Sequence, residues 1–410
     1  MTVFHFLRAV FLAVLTSRIA FGSTAPQRLD ALKECPSTDS SIYDYIVVGS
    51  GAGGGSIAAR LAENGFSVLV VETGVDQSNN MNTTLFSLSW DAIDDSTIDL
   101  NYTISEYPPG FPIQRNNIWY PRASAIGGCT IHNAMENGIS GLRQIFDNIA
   151  RMFTDSTWSR DNMQSFYALL ERNLYLTPPN VDHGFDGWLN TIRAPVSFSS
   201  TAIGTAVIEA SGPVIEDVNS HLPLPHFGRG LTSWTADTNL IHRSSIRDRL
   251  DQVAANSTDK LTLMTNTLTT KVLLCKSAKD VVAYGVSVAP GEKLPIAQGF
   301  TGKQKLNETR IIANREVIFG IPSVVHLPGV GSNLQDNDEV PALWELRQNF
   351  TDPVSFGEVF STSAHSTSLE PDIDAYFVPA QWTGFVHGTV SESPRVYSLA
   401  NNTDRLQNSV

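Results

Sequence analysis

A glycine-rich turn beginning at Gly49 has the residue types and the spacing that bind a dinucleotide. Glycines occupy positions 49, 51 and 54, with Ser50 and Ala52 between them. In such a turn the first glycine permits a tight bend, the second lets the backbone approach a pyrophosphate, and the third lets helix and strand pack closely. The helix that follows would present free N–H groups and the positive end of its dipole to the phosphates.

One acidic residue stands where a bound nucleotide needs an acceptor for its ribose. Glu72 directly follows the apolar run 68–71, and no arginine comes closely after it. A carboxylate at this place accepts hydrogen bonds from a ribose diol and disfavours a 2′-phosphate. The turn and the acid together predict dinucleotide binding, and the alternative is a glycine-rich turn in an ordinary α/β domain. These residues do not separate FAD from NAD.

The sequence on both sides of the turn indicates which elements would position these residues. The apolar run 45–48 is typical of a buried strand, and a second such run covers residues 68–71. Between them, apolar residues at 57, 58, 61 and 62 follow helical spacing, and Gly65 stands where a C-terminal cap belongs. The pattern predicts one βαβ unit over residues 44–72.

A second glycine motif lies between Trp119 and Met135. Its adjacent glycines, Gly127 and Gly128, allow the backbone to come close to a flat or phosphorylated ligand. Together with residues 44–74, this segment resembles the glucose–methanol–choline (GMC) oxidoreductase family, whose pattern is Pro-Arg-x-x-x-x-Gly-Gly-(Ser/Cys)-(Ser/Thr)-x-x-Asn. The chain matches that pattern at Pro121, Arg122, Gly127, Gly128, Cys129, Thr130 and Asn133.

The resemblance continues in the family's order along the chain. Glu72-Thr73-Gly74 is similar to the family's acid-x-Gly, and the stretch from His183 to Gly187 to its His-Gly-x-x-Gly. Thr270-Lys-Val272 resembles the strand whose backbone meets the adenine. Two later segments, 315–318 and 327–336, also match. The likeness covers residues 44–336 and extends thinly to residue 380.

This resemblance implies an α/β fold with a Rossmann-type FAD-binding domain and an α+β substrate domain built on an antiparallel sheet. It implies FAD as the cofactor, a small-molecule alcohol as the substrate, and oxygen or a quinone-like compound as the electron acceptor. Hydride would pass from the alcohol carbon to flavin N5, while a base takes the hydroxyl proton. The residues expected to bind the cofactor are Gly49, Ser50, Gly51, Ala52, Gly54, Glu72, Arg122, Gly127, Gly128, His132, Asn133, Ala134, Met135 and Val272.

His132 precedes Asn133 at a place where choline-oxidase-like relatives bond a histidine to the flavin 8α-methyl group. The hypothesis is a covalent link from His132 to FAD, and the alternative is a core histidine bonded to the backbone. Cys129, beside the glycine pair, is predicted to be a small packed residue rather than a reactive thiol.

Two departures from the family pattern leave the activity of this chain open. After residues 315–318 the family continues with a glycine turn and a helix, whereas here Phe319 leads directly into Gly320. The family's histidine base lies in a later His-Trp-x-x-Gly-Thr stretch, which His387 echoes without the Trp or the spacing. We therefore identify no catalytic base, with His387 as a weak candidate, and expect a truncated and internally deleted chain. The alternative function is a non-catalytic, secreted flavin-binding remnant.

Composition and targeting signals set further limits. Lys and Arg number 28 and Asp and Glu 41, so the charge of −13 disfavours nucleic acid as a partner. Residues 1–22 read as a secretory signal peptide, and no run approaches the ~20 apolar residues of a membrane span. Six Asn-x-Ser/Thr sequons favour a secreted, extracellular glycoprotein; they begin at Asn82, Asn101, Asn256, Asn307, Asn349 and Asn401. Export also favours a tightly held flavin over a dissociable nicotinamide.

The domain organisation follows from these assignments. After the signal peptide we expect a polar lead-in over residues 23–42. The FAD-binding domain would comprise residues 43–150 and 240–340, and the incomplete substrate-binding domain residues 151–239 and 341–390. A polar tail would cover residues 391–410. Three cysteines allow at most one disulfide. A two-dinucleotide enzyme such as a flavin monooxygenase would need a second GxGxxG after a strand, and the sequence has none.

Overall fold

Two short apolar runs and the helix between them form the centre of the fold. Strands β1 (Tyr43–Val48) and β2 (Val68–Val71) are parallel neighbours, joined by helix α1 (Ala52–Glu63). The helix ends in a left-handed turn at Gly65 (φ +88°), and the N–H of Phe66 donates to the carbonyl of Leu61 at 3.2 Å. This is the Schellman arrangement that satisfies the last carbonyls of a helix. The predicted βαβ unit is confirmed.

The computed structural model describes residues 33–35, 42–105, 110, 112, 116–138, 143–193, 214–215, 217–220, 227–230, 233–257, 259–277, 280–291, 306–319, 357–361 and 373–377. The further helices are α2 (Met81–Thr84), α3 (Ser89–Ile93), α4 (Arg143–Phe153), α5 (Arg160–Leu170) and α6 (Ile246–Asn256). The further strands are β3 (Tyr102–Ile104), β4 (Ile118–Tyr120), β5 (Glu136–Asn137), β6 (Glu171–Asn173), β7 (Leu189–Arg193), β8 (Val214–Ile215), β9 (Phe227–Gly230), β10 (Ser233–Trp234), β11 (Leu261–Met264), β12 (Thr267–Ser277), β13 (Asp280–Pro290), β14 (Thr309–Phe319), β15 (Gly357–Ser361) and β16 (Ile373–Phe377).

The central sheet has six strands in the order β11-β2-β1-β14-β13-β12. The first four are parallel, and β14, β13 and β12 form an antiparallel meander. The alternation of apolar and polar residues over 261–274 predicts one strand there. The structure instead breaks this segment at Asn266 (φ +50°), so that β11 and β12 lie at opposite edges of the sheet. The apolar run over 281–288 predicts another strand, and β13 confirms it.

Both faces of this sheet carry a buried apolar layer. On one face Val47, Val68 and Val70 pack against α1 and α6 through Ala58 and Leu250. On the other face lies a second cluster formed by Ile46, Leu69, Val71, Val286, Val288, Ala313 and Val317. Helices α1 and α6 approach so closely that a Cβ on Gly55 would lie 2.3 Å from Cγ2 of Ile246. The small residues of α1 are therefore required by helix packing.

Strands β3 and β4 form a two-stranded antiparallel sheet, and two four-stranded sheets also accompany the central one. The orders of the four-stranded sheets are β5-β10-β7-β6 and β16-β15-β9-β8, and each is largely antiparallel with one parallel pair at an edge. Strands β9 and β15 pair across a long interval of sequence, joining residues 227–230 to residues 357–361. This pairing is compatible with the two-part substrate-binding domain expected from the sequence, and that division of the chain stays a prediction.

Apolar residues at helical spacing predict a helix over residues 158–172, and the helix in the structure is shorter. After α5 the chain becomes strand β6 at Glu171, because a glycine turn packs against the helix end. A Cβ on Gly184 would lie 1.6 Å from the carbonyl oxygen of Ala168, and one on Gly187 would lie 2.2 Å from that of Leu170. The glycines of the His183–Gly187 motif therefore have a packing role.

One disulfide joins the start of the described chain to the edge of the central sheet. Cys35 and Cys275 are bonded, with the backbone N–H of Lys276 donating to the carbonyl of Lys33 at 2.9 Å, while Cys129 is a free thiol. This agrees with the single bridge that three cysteines allow. Across the residues described above, no helix is both long and apolar enough to cross a membrane.

Candidate cofactor site

The first glycine turn connects β1 to α1 and leaves the start of the helix open. Gly49 has φ +88° and its N–H donates to the carbonyl of Val71 at 2.8 Å, which holds the turn against β2. Gly51 is the N-cap residue, and no side chain caps the N–H groups that follow it. A Cβ on Gly54 would lie 2.1 Å from the carbonyl oxygen of Gly49, so helix and turn are in contact. The open N–H groups and the helix dipole suit an anion.

The second glycine motif lies directly against the first. Gly127 and Gly128 have φ of +94° and +51°, a left-handed conformation that favours glycine. A Cβ on Gly128 would lie 2.8 Å from the Cα atom of Gly51. Two motifs 77 residues apart in sequence, predicted separately, are therefore brought together with only glycine backbone between them.

Ser50 and Glu72 join the two turns through buried hydrogen bonds. The backbone N–H and the hydroxyl of Ser50 donate to Oε2 of Glu72 at 2.9 and 2.7 Å. The N–H of Gly127 donates to the Ser50 hydroxyl oxygen at 3.1 Å. On the other side of the carboxylate, Oε1 accepts from the N–H of Gly74 at 3.0 Å and from the Thr73 hydroxyl at 3.2 Å. Glu72 is 7% exposed, so this network is dry.

These contacts show a role for Glu72 that the sequence did not predict. Its carboxylate organises the two glycine turns through four bonds from protein groups. Acceptance of a ribose diol stays a prediction, and it requires one of these bonds to be exchanged. The bond from Thr73 is the longest of the four, and the Thr73 hydroxyl also lies 3.1 Å from the hydroxyl of Ser124. A ribose hydroxyl could therefore replace Thr73 while the bonds to Ser50 and Gly74 persist.

The segment leading to the glycine pair is held by close backbone contact. A Cβ on Gly74 would lie 2.1 Å from the carbonyl carbon of Ser124, and the N–H of Ile126 donates to the carbonyl of Val75 at 3.3 Å. Arg122, before this contact, stacks on the ring of Tyr120 with its Cζ atom 3.6 Å from the ring centroid. The glycine of the acid-x-Gly motif thus serves backbone packing.

His132 lies buried after the second glycine turn, with 6% of its surface exposed. Burial, and then the positive charges of Arg243 and Arg122, lower the pKa of His132 to about 4. The imidazole is therefore neutral at physiological pH. A neutral ring is what the covalent hypothesis requires, and it suits the alternative of a core histidine equally.

The next three predicted residues differ in their surroundings. Asn133 is exposed to solvent. Nη1 of Arg243 donates hydrogen bonds to the backbone carbonyl and to the side-chain oxygen of Asn133. Ala134 is half-buried. Met135 has φ +64° and is 1% exposed, packing in a core cluster with Ile192 and Trp234. The side chain of Met135 is thus a core element, and only its backbone is left to meet a ligand.

Val272 does not lie with the other predicted residues. The part of β12 that touches Glu72 is its beginning, where the N–H of Thr267 donates to the Glu72 carbonyl at 3.0 Å. Val272 follows Thr267 by five residues, which is roughly 16 Å at strand spacing. It pairs with Val286 on β13. His387 falls outside the described residues.

A separate buried charge cluster surrounds the histidine of the His183–Gly187 motif. Nδ1 of His183 lies 2.8 Å from Oε2 of Glu171, and Nε2 lies 2.8 Å from Oδ2 of Asp217. Burial alone would lower the pKa of His183, but the hydrogen bonds and charges of Asp217 and Glu171 outweigh it and raise that pKa to about 9. The ring of Tyr175 packs edge-on at 5.8 Å, and burial raises the pKa of its hydroxyl above the usual range.

We expect this cluster to make the stability of the protein fall at alkaline pH. The folded pKa of His183 is raised above its ordinary value of 6.5, so the contribution is fully present below pH 6.5 and is lost as pH rises through about 9. The loss is on the order of 3 kcal/mol. Urea unfolding between pH 6 and pH 10 measures it. His183→Gln should flatten the profile, and His242→Gln, at an exposed histidine paired with Asp237, should leave it unchanged. Equal profiles for all three proteins would contradict this role.

Comparisons with known proteins agree with a Rossmann-type arrangement around the first glycine turn. A family model described as an NAD(P)-binding Rossmann-like domain matches residues 47–85. Pyranose dehydrogenase 2 of Leucoagaricus meleagris is 26% identical over 84% of this chain and 58% of its own length. Oxygen-dependent choline dehydrogenase of Pseudomonas savastanoi pv. phaseolicola is 26% identical over 78% of this chain and 56% of its own. The chain thus spans a little over half the length of these relatives.

The fold has counterparts among solved structures. Formate oxidase superposes with a TM-score of 0.54 at 20% identity, covering 69% of this chain and 46% of the oxidase. Pyridoxine 4-oxidase from Mesorbium loti gives a TM-score of 0.51 at 18% identity, covering 68% and 49%. At these identities the likeness supports the fold, and it confirms the predicted α/β class with a Rossmann-type domain.

Proposed function

We propose, on the premise that the homologues of this chain are glucose–methanol–choline oxidoreductases, that it is an FAD-dependent oxidoreductase acting on the CH–OH group of an alcohol or sugar. Residues 43–150 and 240–340 would form the FAD-binding domain, and residues 151–239 and 341–390 the substrate-binding domain. The relatives include enzymes named for pyranose, for glucose and for choline, which share a hydroxyl-bearing carbon as the only common feature. We therefore assign the substrate class as a small alcohol.

The observation that carries the proposal is the meeting of the two glycine turns at the open start of α1. A Cβ on Gly128 would lie 2.8 Å from the Cα atom of Gly51, so glycine at position 128 lets the two backbones meet, and no side chain caps the helix there. A pyrophosphate supplies the negative charge that such a helix start favours. The cradle fits the central part of FAD, with Gly51 and Ala52 nearest its phosphates.

The residues around this cradle would contact different parts of FAD. Glu72 and the start of β12 would hold the adenosine side, and the segment from Gly127 to Met135 the flavin side. FAD, when bound, supplies the hydride acceptor for the alcohol, and oxygen or a quinone-like compound would take the electrons onward. The chain itself provides a buried, neutral imidazole at His132 and a backbone at Asn133 that Arg243 holds. No residue in the described ranges is assigned as the catalytic base.

The absorbance of bound flavin, and its loss on reduction by a substrate, test the oxidoreductase proposal. Full-length protein purified after supplementation with FAD should be yellow, and anaerobic addition of glucose, choline or a simple primary alcohol should bleach the absorbance near 450 nm. If the protein is yellow but no compound in a broad panel of alcohols bleaches it, the result would favour the alternative of a non-catalytic flavin-binding protein. Colourless protein that takes up no FAD would overturn the proposal.

A covalent bond between His132 and FAD is the finer part of the proposal. It is supported by the buried position and the neutral ring of His132. Acid precipitation should leave the yellow colour in the protein pellet, whereas His132→Asn should release all of it to the supernatant. Complete release from the unaltered protein would contradict the link while leaving FAD binding intact.

We also propose that the protein is secreted and glycosylated. The support is the signal-like sequence of residues 1–22 and the Cys35–Cys275 disulfide, a bond that persists in oxidising compartments. Asn101, Asn256 and Asn307 are exposed, whereas Nδ2 of Asn82 donates to Asp95 at 3.2 Å. Asn349 and Asn401 lie outside the described residues.

Expression in a secretory host gives the test of export. Protein recovered from the medium should migrate faster on a gel after glycosidase treatment, and peptide mass spectrometry should find glycans at the three exposed sequons. Asn82 should stay unmodified, because a glycan would displace its bond to Asp95. Retention inside the cell with no shift in mobility would contradict this proposal.

A further inference from the structure

A buried arginine behind the second glycine turn has no counter-ion in the described part of the chain. Arg243 is 5% exposed, and its Nη1 atom donates to the carbonyl of Thr130 at 3.3 Å and to the carbonyl of Asn133 at 2.8 Å. Its Nε and Nη2 atoms have no hydrogen-bond partner among the described residues. A buried cation in this state is unfavourable unless an anion or other acceptor meets it.

The unpaired atoms form one edge of the guanidinium group. Nε and the adjacent terminal nitrogen present parallel N–H bonds, which is the fork that receives a carboxylate or phosphate through two hydrogen bonds. Nη1, the remaining nitrogen, is fully used on the backbone and side chain of Asn133 and on Thr130. The described residues therefore anchor one side of Arg243, and none of them bonds to its bidentate side.

Arg243 lines a cavity of about 300 Å³ between α2 and the start of α6. Hydroxyl groups of Ser78, Thr83 and Thr84 line one wall, and the opposite wall contains Arg243 and Arg247. The segment is fixed in place because the N–H of Arg243 donates to the carbonyl of Thr84 at 3.0 Å. The hydroxyls of Ser78, Thr83 and Thr84 donate to protein acceptors, so the two guanidinium groups are the donors that suit an oxyanion.

The carboxylates of Asp76, Asp248 and Asp251 act electrostatically on Arg247, and that of Asp248 also acts on Arg243 without forming an ion pair with it among the described residues. Asp248 also lines it, but its carboxylate pairs with Nη2 of Arg247 at 2.8 Å and accepts from the N–H of Ser245 at 2.8 Å. Asp76 lies 3.9 Å from Nη1 of Arg247. Both carboxylates are thus directed to Arg247, and neither forms an ion pair with Arg243 among the described residues.

We infer that this cavity is a binding site for a small oxyanion, a carboxylate or a phosphate group, held through Arg243 with help from Arg247. Neither the first glycine turn nor Glu72 lines this cavity, and it adjoins the segment proposed for the flavin side through the bonds of Arg243 to Thr130 and Asn133. The inference goes beyond the proposed function and does not depend on it. An anion on Arg243 would stiffen the backbone at Thr130 and Asn133, which the arginine already holds.

Thermal unfolding of the full-length, flavin-loaded protein tests the site. Sodium phosphate and sodium acetate are titrated at pH 7 against sodium chloride at constant total ionic strength. We expect a saturable rise in the unfolding midpoint with at least one oxyanion, beyond that of chloride. A response to phosphate alone identifies a phosphate ligand, and a response to acetate alone a carboxylate ligand. Absorbance of the flavin, followed in the same samples, should not change.

Three variants locate the effect. Arg243→Lys keeps the charge and a donor for Asn133 but removes the fork, so the apparent affinity should fall at least tenfold. Arg247→Gln should weaken it less, and Arg172→Gln, at an exposed arginine on β6, should leave it unchanged. No oxyanion-specific rise in the unaltered protein, or an equal rise in Arg243→Lys, would overturn the inference. Should the protein prove colourless, the same titration runs unchanged, so the two proposals fail separately.

Discussion

Gly54→Ala is expected to abolish FAD binding and to lower the free energy of unfolding by about 3 kcal/mol. The new Cβ would lie 2.1 Å from the carbonyl oxygen of Gly49 and 3.1 Å from Cγ1 of Val47. Both atoms belong to β1 and its turn, so relief requires α1 to move away from the sheet. That movement would carry the open N–H groups of Gly51 and Ala52 out of the cradle. Urea unfolding and flavin absorbance of the purified protein measure both effects.

Gly53→Ala is the matched control for this prediction. Gly53 lies in the same helical turn, and a Cβ there would meet nothing within 4 Å. Alanine also favours a helix by about 1 kcal/mol over glycine, so stability should hold or rise. Flavin content should equal that of the unaltered protein. If both variants lose flavin to the same extent, backbone contact between Gly54 and Gly49 is not the cause.

Glu72→Ala should also be strongly destabilising, costing about 4–5 kcal/mol. It would leave the buried N–H groups of Ser50 and Gly74 and the Ser50 hydroxyl without their acceptor. The N–H of Gly127 bonds to that same hydroxyl, so the two glycine turns would lose their connection. We expect colourless protein with a lower unfolding midpoint.

Two milder variants separate the parts of this network. Glu72→Gln keeps one oxygen but places an amide donor against a backbone donor, so about half the loss should persist. Thr73→Val removes the 3.2 Å bond to Oε1 and the 3.1 Å contact with the Ser124 hydroxyl, and it should cost about 1 kcal/mol. An intact flavin spectrum in Glu72→Ala would show that the carboxylate neither joins the turns nor meets the cofactor.

The parts of this molecule that sequence predicts well are those set by local pattern. The βαβ unit follows from apolar runs, helical spacing and the cap at Gly65, all within thirty residues. The glycine pair at 127–128 was predicted to approach a ligand because only glycine tolerates that backbone, and its left-handed angles agree. Close packing at Gly54 was predicted for the same reason.

The remaining features depend on contacts between distant segments, which one sequence does not reveal. Nothing near Arg243 marks it as buried, since it stands in a polar run and acquires its surroundings from Thr130 and Asn133. Val272 was placed by analogy along a strand, where the break at Asn266 determines which residues reach Glu72. Met135 fitted the motif, yet tertiary packing turns its side chain into the core.

The bond between Cys35 and Cys275 closes a covalent ring that spans 240 positions of the chain. A tryptic cut inside that ring, for example after the exposed Arg151, would leave both fragments attached to one another. They would separate on a denaturing gel only after treatment with a thiol reductant. A cut beyond Cys275 would release its fragment at once, so paired reduced and unreduced lanes would assign each proteolytic site to one side of the ring.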